Sequence, residues 1–147
     1  MEYKNYYKIS VRELCHEVKK RNPEAIKEMA KYFIENVDYS NSILIPVPQH
    51  EGYAIYTKEI AVLIAKETGV EILDIIKSKP RKTLYEMKKN KENIILGFYT
   101  TSKYDLRGKN ILLIDNVLAT GKTIRECEKA VGYKMKPVVY GATEKRS

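Results

Sequence analysis

Cysteine is scarce in this 147-residue chain, with only Cys15 and Cys127, and histidine is equally scarce, with only His16 and His50. No spacing among these four suggests a ligand set, so a structural zinc site or disulfide framework is not expected, and a reducing cytosol fits. Long apolar runs are also missing. The longest, such as Ile43–Val47 and Ile111–Ile114, fall far short of the roughly 18–20 residues that cross a bilayer. The start, Met-Glu-Tyr-Lys-Asn-Tyr-Tyr, lacks the apolar centre of a secretory signal, so a cytoplasmic protein with no membrane partner is expected. There is no internal repeat and no low-complexity linker. One domain spanning 1–147 is the natural reading at this length.

Charge is present in excess but unevenly placed. The net charge is +8, yet residues 1–40 carry eight basic against seven acidic side chains. Residues 77–91 carry seven basic residues and one acid, Glu86. A run of this kind is either a solvated loop or an attractor of phosphate, on a small molecule or on nucleic acid.

The N-terminal part, 1–40, reads as helix. Asn22-Pro23-Glu24 is a helix start, with Asn as cap and Pro at the first helical position. Ile26, Met29, Ala30, Phe33, Ile34 and Val37 then follow one-sided helical spacing. A shorter helix is expected around Val11–Arg21. From Ile43 the pattern alternates. Ile43–Val47 reads as a strand covered on both faces, 54–68 as a helix ending near Gly69, and Val70–Ile76 as a second strand. Asn93–Thr100 is a further strand candidate, Asp105–Gly108 a turn, and Asn110–Asp115 the clearest buried strand. Helical spacing resumes at Ile124, Cys127 and Val131, with Gly132 as a stop. Pro137–Tyr140 reads as a last strand. Strands joined by helices in this order predict an α/β fold with a parallel sheet, with ligands at the C-terminal strand ends.

The most informative segment is Ile111–Thr123, ILLIDNVLATGKT. Its strand delivers Asp115 to the rim where such sheets bind ligands. A five-residue turn, Val117–Gly121, leads into a helix whose free amides and positive dipole end attract anions. Gly121 permits close backbone approach, and Thr120 and Thr123 can donate hydroxyl hydrogen bonds to phosphate oxygens. An acid beside a phosphate cradle makes sense for a ligand with hydroxyls next to its phosphate. A ribose 5-phosphate is such a ligand, with its diol on Asp115 and Asn116. Gly121-Lys122-Thr123 also ends a P-loop pattern, but the first glycine of that pattern would fall on Asn116. An ordinary strand–helix connection with Asp115 as a cap is the plain alternative.

The segment resembles the signature of type I phosphoribosyltransferases through its apolar strand, Asp115, Thr120, Gly121 and Thr123. Ile45-Pro46-Val47-Pro48, then His50, Tyr56-Thr57 and Ile60-Ala61, are similar to the first strand, pyrophosphate loop and helix of that fold. Glu92-Asn93 and Gly97-Phe98, after a basic stretch, make the ComF-like branch the most similar. The resemblance spans about residues 43–143. It departs at Asn116, where the family has a second acid, and at Ala119, where it has a threonine. Loss of the acid removes a negative charge that could stabilise an oxocarbenium-like transition state.

This resemblance implies a Rossmann-like phosphoribosyltransferase core preceded by helices. The implied activity uses 5-phosphoribosyl 1-pyrophosphate (PRPP) and Mg²⁺, with a nitrogen nucleophile such as a nucleobase as acceptor. It places ribose 5-phosphate on Asp115–Asn116 and Ala119–Thr123, with Lys122 expected to face solvent, and pyrophosphate on Pro48, Gln49 and His50. No residue is expected to be a dedicated metal ligand; His50 is expected to be a hydrogen-bonding structural residue and Tyr56 to pack on its helix. The segment 77–105 becomes a mobile cover, with Lys79, Arg81 and Lys82 as candidates to neutralise the leaving group and Tyr85 and Met87 as anchors. Cys15 and His16 are expected to pack on the N-terminal helix, and Cys127 in the core. A homo-oligomer could complete a small acceptor site. The competing reading is a non-catalytic PRPP or nucleotide sensor, or a nucleic-acid-binding protein, on the same fold.

Overall fold

The computed structural model describes residues 3–89 and 96–143. It is an α/β fold built on a four-stranded, fully parallel sheet. Its strands are β2 (Ser42–Pro46), β3 (Glu71–Ile72), β4 (Asn110–Ile114) and β6 (Lys136–Val138), in the order β3-β2-β4-β6. A second parallel sheet has the order β1-β7-β5, with β1 at Lys4–Asn5, β5 at Val117–Leu118 and β7 at Gly141–Ala142. The helices are α1 (Ile9–Lys19), α2 (Pro23–Asn36), α3 (Tyr56–Thr68), α4 (Leu84–Lys89) and α5 (Lys122–Val131).

Beyond Ser42 and Asn110 at their starts, the central strands are apolar because both faces of the sheet are covered. Side chains alternate across the pleat. Leu44, Leu112 and Ile114 pack with Cys15, Val18, Met29, Phe33, Ile60 and Ile64 of α1, α2 and α3. Ile43, Ile45, Ile111 and Leu113 pack on the other side with Cys127, Ile75, Ile76 and Leu106. The 1:1 parallel register of β2 and β4, Ile43 opposite Ile111 and Ile45 opposite Leu113, keeps both sets in phase. It also brings the ends of both strands, Pro46 and Ile114, to the same rim.

The expected start of α2 is observed, with the Asn22 carboxamide oxygen accepting from Glu24 N at 3.0 Å and Ala25 N at 3.3 Å. Helices α3 and α5 end at Gly69 and Gly132, and a turn occupies Arg107–Gly108. Four expectations need correction. Val70–Ile76 contributes only Glu71–Ile72 to the sheet; Ile75 and Ile76 are buried as core residues outside the ladder. The N-terminal part is not wholly helical, and Pro137–Tyr140 is not the last strand, because Lys4–Asn5 pairs with Gly141–Ala142. The turn expected at Val117–Gly121 opens with β5, which pairs with the same strand. Of the expected strand 93–100, residues 93–95 lie outside the described residues, as do Glu92 and the resemblance it carried. The rest makes one antiparallel bridge, Tyr99 to Lys77. Among the described residues no helix is long and apolar enough to cross a membrane.

Replacing Asn22 with alanine removes both cap bonds and is expected to cost about 1 kcal/mol. In urea unfolding this appears as a lower midpoint with an unchanged slope.

Candidate functional site

Asp115 stands just past β4, where its amide donates to Val138 O at 3.1 Å. Its carboxylate accepts from Asn116 N at 2.7 Å. Burial pushes the carboxyl up to about 6, against the opposing pull of that backbone bond and of the Lys19 and Arg81 charges. A carboxyl raised by burial at a strand end costs stability in the charged form.

Two cavities meet at this carboxylate. The first, 360 Å³, is walled by Val47, Pro48 and the turn Gln49–Glu51, with Lys19, Arg21, Tyr56, Arg81 and Thr83 around it. The turn is built by its own side chains. Gln49 Nε2 donates to Val47 O at 2.8 Å, and Thr57 Oγ1 donates to the same carbonyl at 2.6 Å. The amides of Gln49 and Gly52 are used within the turn, on Tyr53 O and Gln49 O. The amides of Gln49 and Gly52 are thus not available to a ligand, and the Gln49 side chain acts as scaffold. His50 behaves as expected of a structural residue: Nδ1 lies 3.2 Å from Arg81 O, and Nε2 lies 3.2 Å from Glu51 Oε1.

The basic segment is pinned to this turn. Ser78 N donates to Gly52 O at 3.0 Å and Arg81 N to His50 O at 2.8 Å. Gly52, at φ +104°, has no room for a side chain, since a Cβ there would lie 2.3 Å from Ser78 O. Of the three basic candidates the structure brings only Arg81 to the cavity; Lys79 and Lys82 are exposed away from it. Arg81 Nε is buried without a hydrogen-bond partner. Burial pulls the guanidinium down, while Tyr56 and Asp115 pull the other way. Of the two proposed anchors, Met87 is buried, and the Tyr85 side chain lies outside the described residues.

The second cavity, 530 Å³, runs along Val117–Ile124, taking in Ala119, Thr120, Gly121, Lys122 and Thr123. Lys122 lines it and is partly buried, rather than pointing to open solvent. Helix α5 begins at Gly121, whose φ of +76° is a left-handed turn that a β-branched residue resists. The helix has no side-chain cap and no acid in its first turn. Apart from the Lys122 amide, its first-turn amides and its dipole are thus open to an anion. Thr120 Oγ1 accepts from Lys122 N at 3.3 Å, and Arg125 adds a cation bonded to Thr120 O.

Asn116 departs most from expectation. It is 1% exposed, and its Nδ2 donates to Cys15 O at 2.9 Å, tying β4's end to α1. Its Nδ2 is thus engaged with protein backbone, while its Oδ1 is buried without a hydrogen-bond partner and the residue lines the second cavity. Tyr56 also differs, because it lines both cavities beside Asp115 as well as packing on the core. His16 is exposed, with Nε2 3.3 Å from Tyr6 Oη, instead of packed. Sequence reasoning missed Lys19, Tyr6 and Arg125. For Lys19 a signal existed: it lies one turn beyond Cys15, on the flank of the buried stripe Val11, Cys15 and Val18.

No family model matches the chain. Over 98 residues, 67% of this chain, it is 26% identical to a ribose-phosphate pyrophosphokinase of Chlorobaculum tepidum. A solved structure of the allosteric regulatory enzyme of purine biosynthesis aligns with 81% of the chain at 12% identity and a TM-score of 0.46. The chain spans 25% of the length of each of these two proteins.

Asp115 yields a prediction with a definite sign. Its folded-state value near 6 lies above the ordinary 3.8, so the folded protein retains a proton that the unfolded chain releases. The stability this group contributes is complete below the ordinary value and is lost as pH rises through the folded one. Asp115→Asn is expected to melt with the wild type at pH 3.5 and above it at pH 7, read by thermal unfolding. At the neighbouring position Asn116→Asp sets a buried carboxylate against the Cys15 carbonyl. A loss of about 1–3 kcal/mol in urea unfolding at pH 7 is expected.

Proposed function

We propose that the chain binds PRPP with Mg²⁺ and transfers its phosphoribosyl group to a nitrogen nucleophile, in the first place a nucleobase, releasing pyrophosphate. The observation that carries this reading is the meeting of two anion-suited cavities at one carboxylate. Diphosphate fits the first, against the 49–52 turn and Arg81. The 5-phosphate fits the second, at the start of α5. The sugar between them places its hydroxyls on Asp115. The similarity to a ribose-phosphate pyrophosphokinase supports a ligand of this class, and the motif order supports the ComF-like branch.

The chemistry asks little covalent work of the protein. The acceptor nitrogen's lone pair bonds to the sugar's C1 as the C1–O bond breaks, its electron pair leaving on diphosphate. Asp115 offers negative charge near the cationic carbon, and Arg81 offers positive charge to the leaving oxygen. Tyr56 and the 49–52 turn hold the reacting groups and keep water out. A Mg²⁺ ion would be held through PRPP itself, with no dedicated protein ligand required. Among the described residues no cluster of three or more His, Cys, Asp or Glu forms a metal cage. When bound, the ion would offset diphosphate charge.

The burial of Asn116 favours one second reading. With that side chain engaged on α1, Asp115 is the single acid of the motif left for the sugar, which suits a non-catalytic PRPP or nucleotide sensor, or a nucleic-acid-binding protein. Calorimetry with PRPP and Mg²⁺ and pyrophosphate release across a panel of bases separate the two. Binding with release supports transfer; binding without release, together with salt-sensitive RNA or DNA binding, supports the second reading. Asp115→Ala and Gly121→Val are each expected to abolish PRPP binding, and retained affinity in both sinks the site assignment. Arg81→Gln is expected to lower kcat by more than it weakens binding.

A further inference from the structure

The first cavity has two ends. At one it shares Lys19, Tyr56, Asp115 and Thr123 with the second cavity. At the other it shares Arg21, Glu51 and Ile55 with a 720 Å³ groove between α2 and α3. Arg21 thus stands at the end away from Asp115, and it takes no part in lining the second cavity. Two arginines line the first cavity; the other, Arg81, is tied through its backbone to the 49–52 turn.

Arg21 holds its place against the preference of its backbone. Helix α1 closes with the Arg21 amide on Val18 O at 2.9 Å and the Asn22 amide on Glu17 O at 3.0 Å. These are the paired bonds of a helix end whose left-handed residue is usually glycine. Arg21 is that residue, at φ +62°, a conformation that a Cβ resists. The helix end itself has no use for a long side chain there. That side chain crosses to α3, where Nε donates to Glu59 Oε1 at 2.6 Å and a second guanidinium nitrogen pairs with the same oxygen. The arginine is 60% and the glutamate 35% exposed, so the pair adds little to stability.

We infer that Arg21 is a diphosphate-binding residue, held by Glu59 in the free protein and exchanging that carboxylate for the terminal phosphoryl group of the ligand. This rests on the placement of diphosphate proposed above. There the phosphoryl group next to C1 meets Arg81, and the terminal one, farther from Asp115, reaches Arg21. A phosphoryl group offers the guanidinium fork parallel acceptor oxygens and more charge than a carboxylate. Glu59 competes for the same cation and so loosens the hold on pyrophosphate once transfer is complete.

Calorimetry of the full chain with Mg²⁺ and three probes, PRPP, inorganic pyrophosphate and ribose 5-phosphate, tests the assignment. Arg21→Gly suits the left-handed turn and is expected to melt no lower than the wild type. It should weaken PRPP and pyrophosphate about 10- to 100-fold. Ribose 5-phosphate, which lacks the diphosphate, should bind this variant within about twofold of the wild type. Glu59→Gln should act in the opposite sense, tightening pyrophosphate about two- to fivefold by freeing the cation. If the ion pair is only a scaffold, both variants weaken pyrophosphate, and that result overturns the inference. So does unchanged pyrophosphate affinity in Arg21→Gly, or an equal loss of ribose 5-phosphate. A wild-type chain that binds pyrophosphate but neither sugar phosphate removes the phosphoribosyl reading, while opposite shifts in the two variants still uphold Arg21. A chain that binds none of the three removes both.

Discussion

A single hydrogen bond, from Asn116 Nδ2 to the carbonyl of Cys15, joins the motif strand to the N-terminal helix. Around it the second sheet closes: the Asn116 carbonyl accepts from the amides of Tyr140 and Gly141, and β7 carries β1 on one edge and β5 on the other. The residue that departs from the family pattern is therefore the one that seats α1. An acid at this position would face a carbonyl in a buried setting. Asparagine, which donates, suits the architecture where aspartate does not. The lost charge and the docked helix are two sides of one substitution.

The electrostatics around this joint are left unresolved in a patterned way. The Asp115 carboxyl is pushed up to about 6 by burial, Arg81 keeps a buried Nε without a partner, and α5 starts without an acid. Each costs stability in the free protein. The three lie around the two joined cavities, on different elements, and one ligand with an anionic end, a hydroxyl-bearing middle and a second anionic end would satisfy all of them. Such a ligand is the one the proposed function supplies.

Much of this was legible in the sequence where periodicity is strong. The β4–α5 segment, the Asn22 cap and the β2 strand carry local patterns that survive into the fold. The β1-β7-β5 sheet was not legible, because two-residue strands have no period and are defined by partners more than a hundred residues away, as with Lys4 and Gly141. Nor could spacing choose among Lys79, Arg81 and Lys82. That choice is made by hydrogen bonds to the 49–52 turn, which belong to tertiary structure. Asn116 was read as a weakened sugar ligand because nothing in the local sequence reveals a helix lying over it. Lys19 sits one turn beyond Cys15, so its helix face was legible, but what that face meets is set by other elements.

The clamp between Gly52 and Ser78 has a mechanical consequence. With the Ser78 amide on the Gly52 carbonyl, the Arg81 amide on the His50 carbonyl and no space at Gly52 for a side chain, the turn and the arginine form one lever. Any anion that draws the turn's amides inward carries the guanidinium with it. Under the proposed function, contact with diphosphate and approach of a positive charge to it would then be a single displacement.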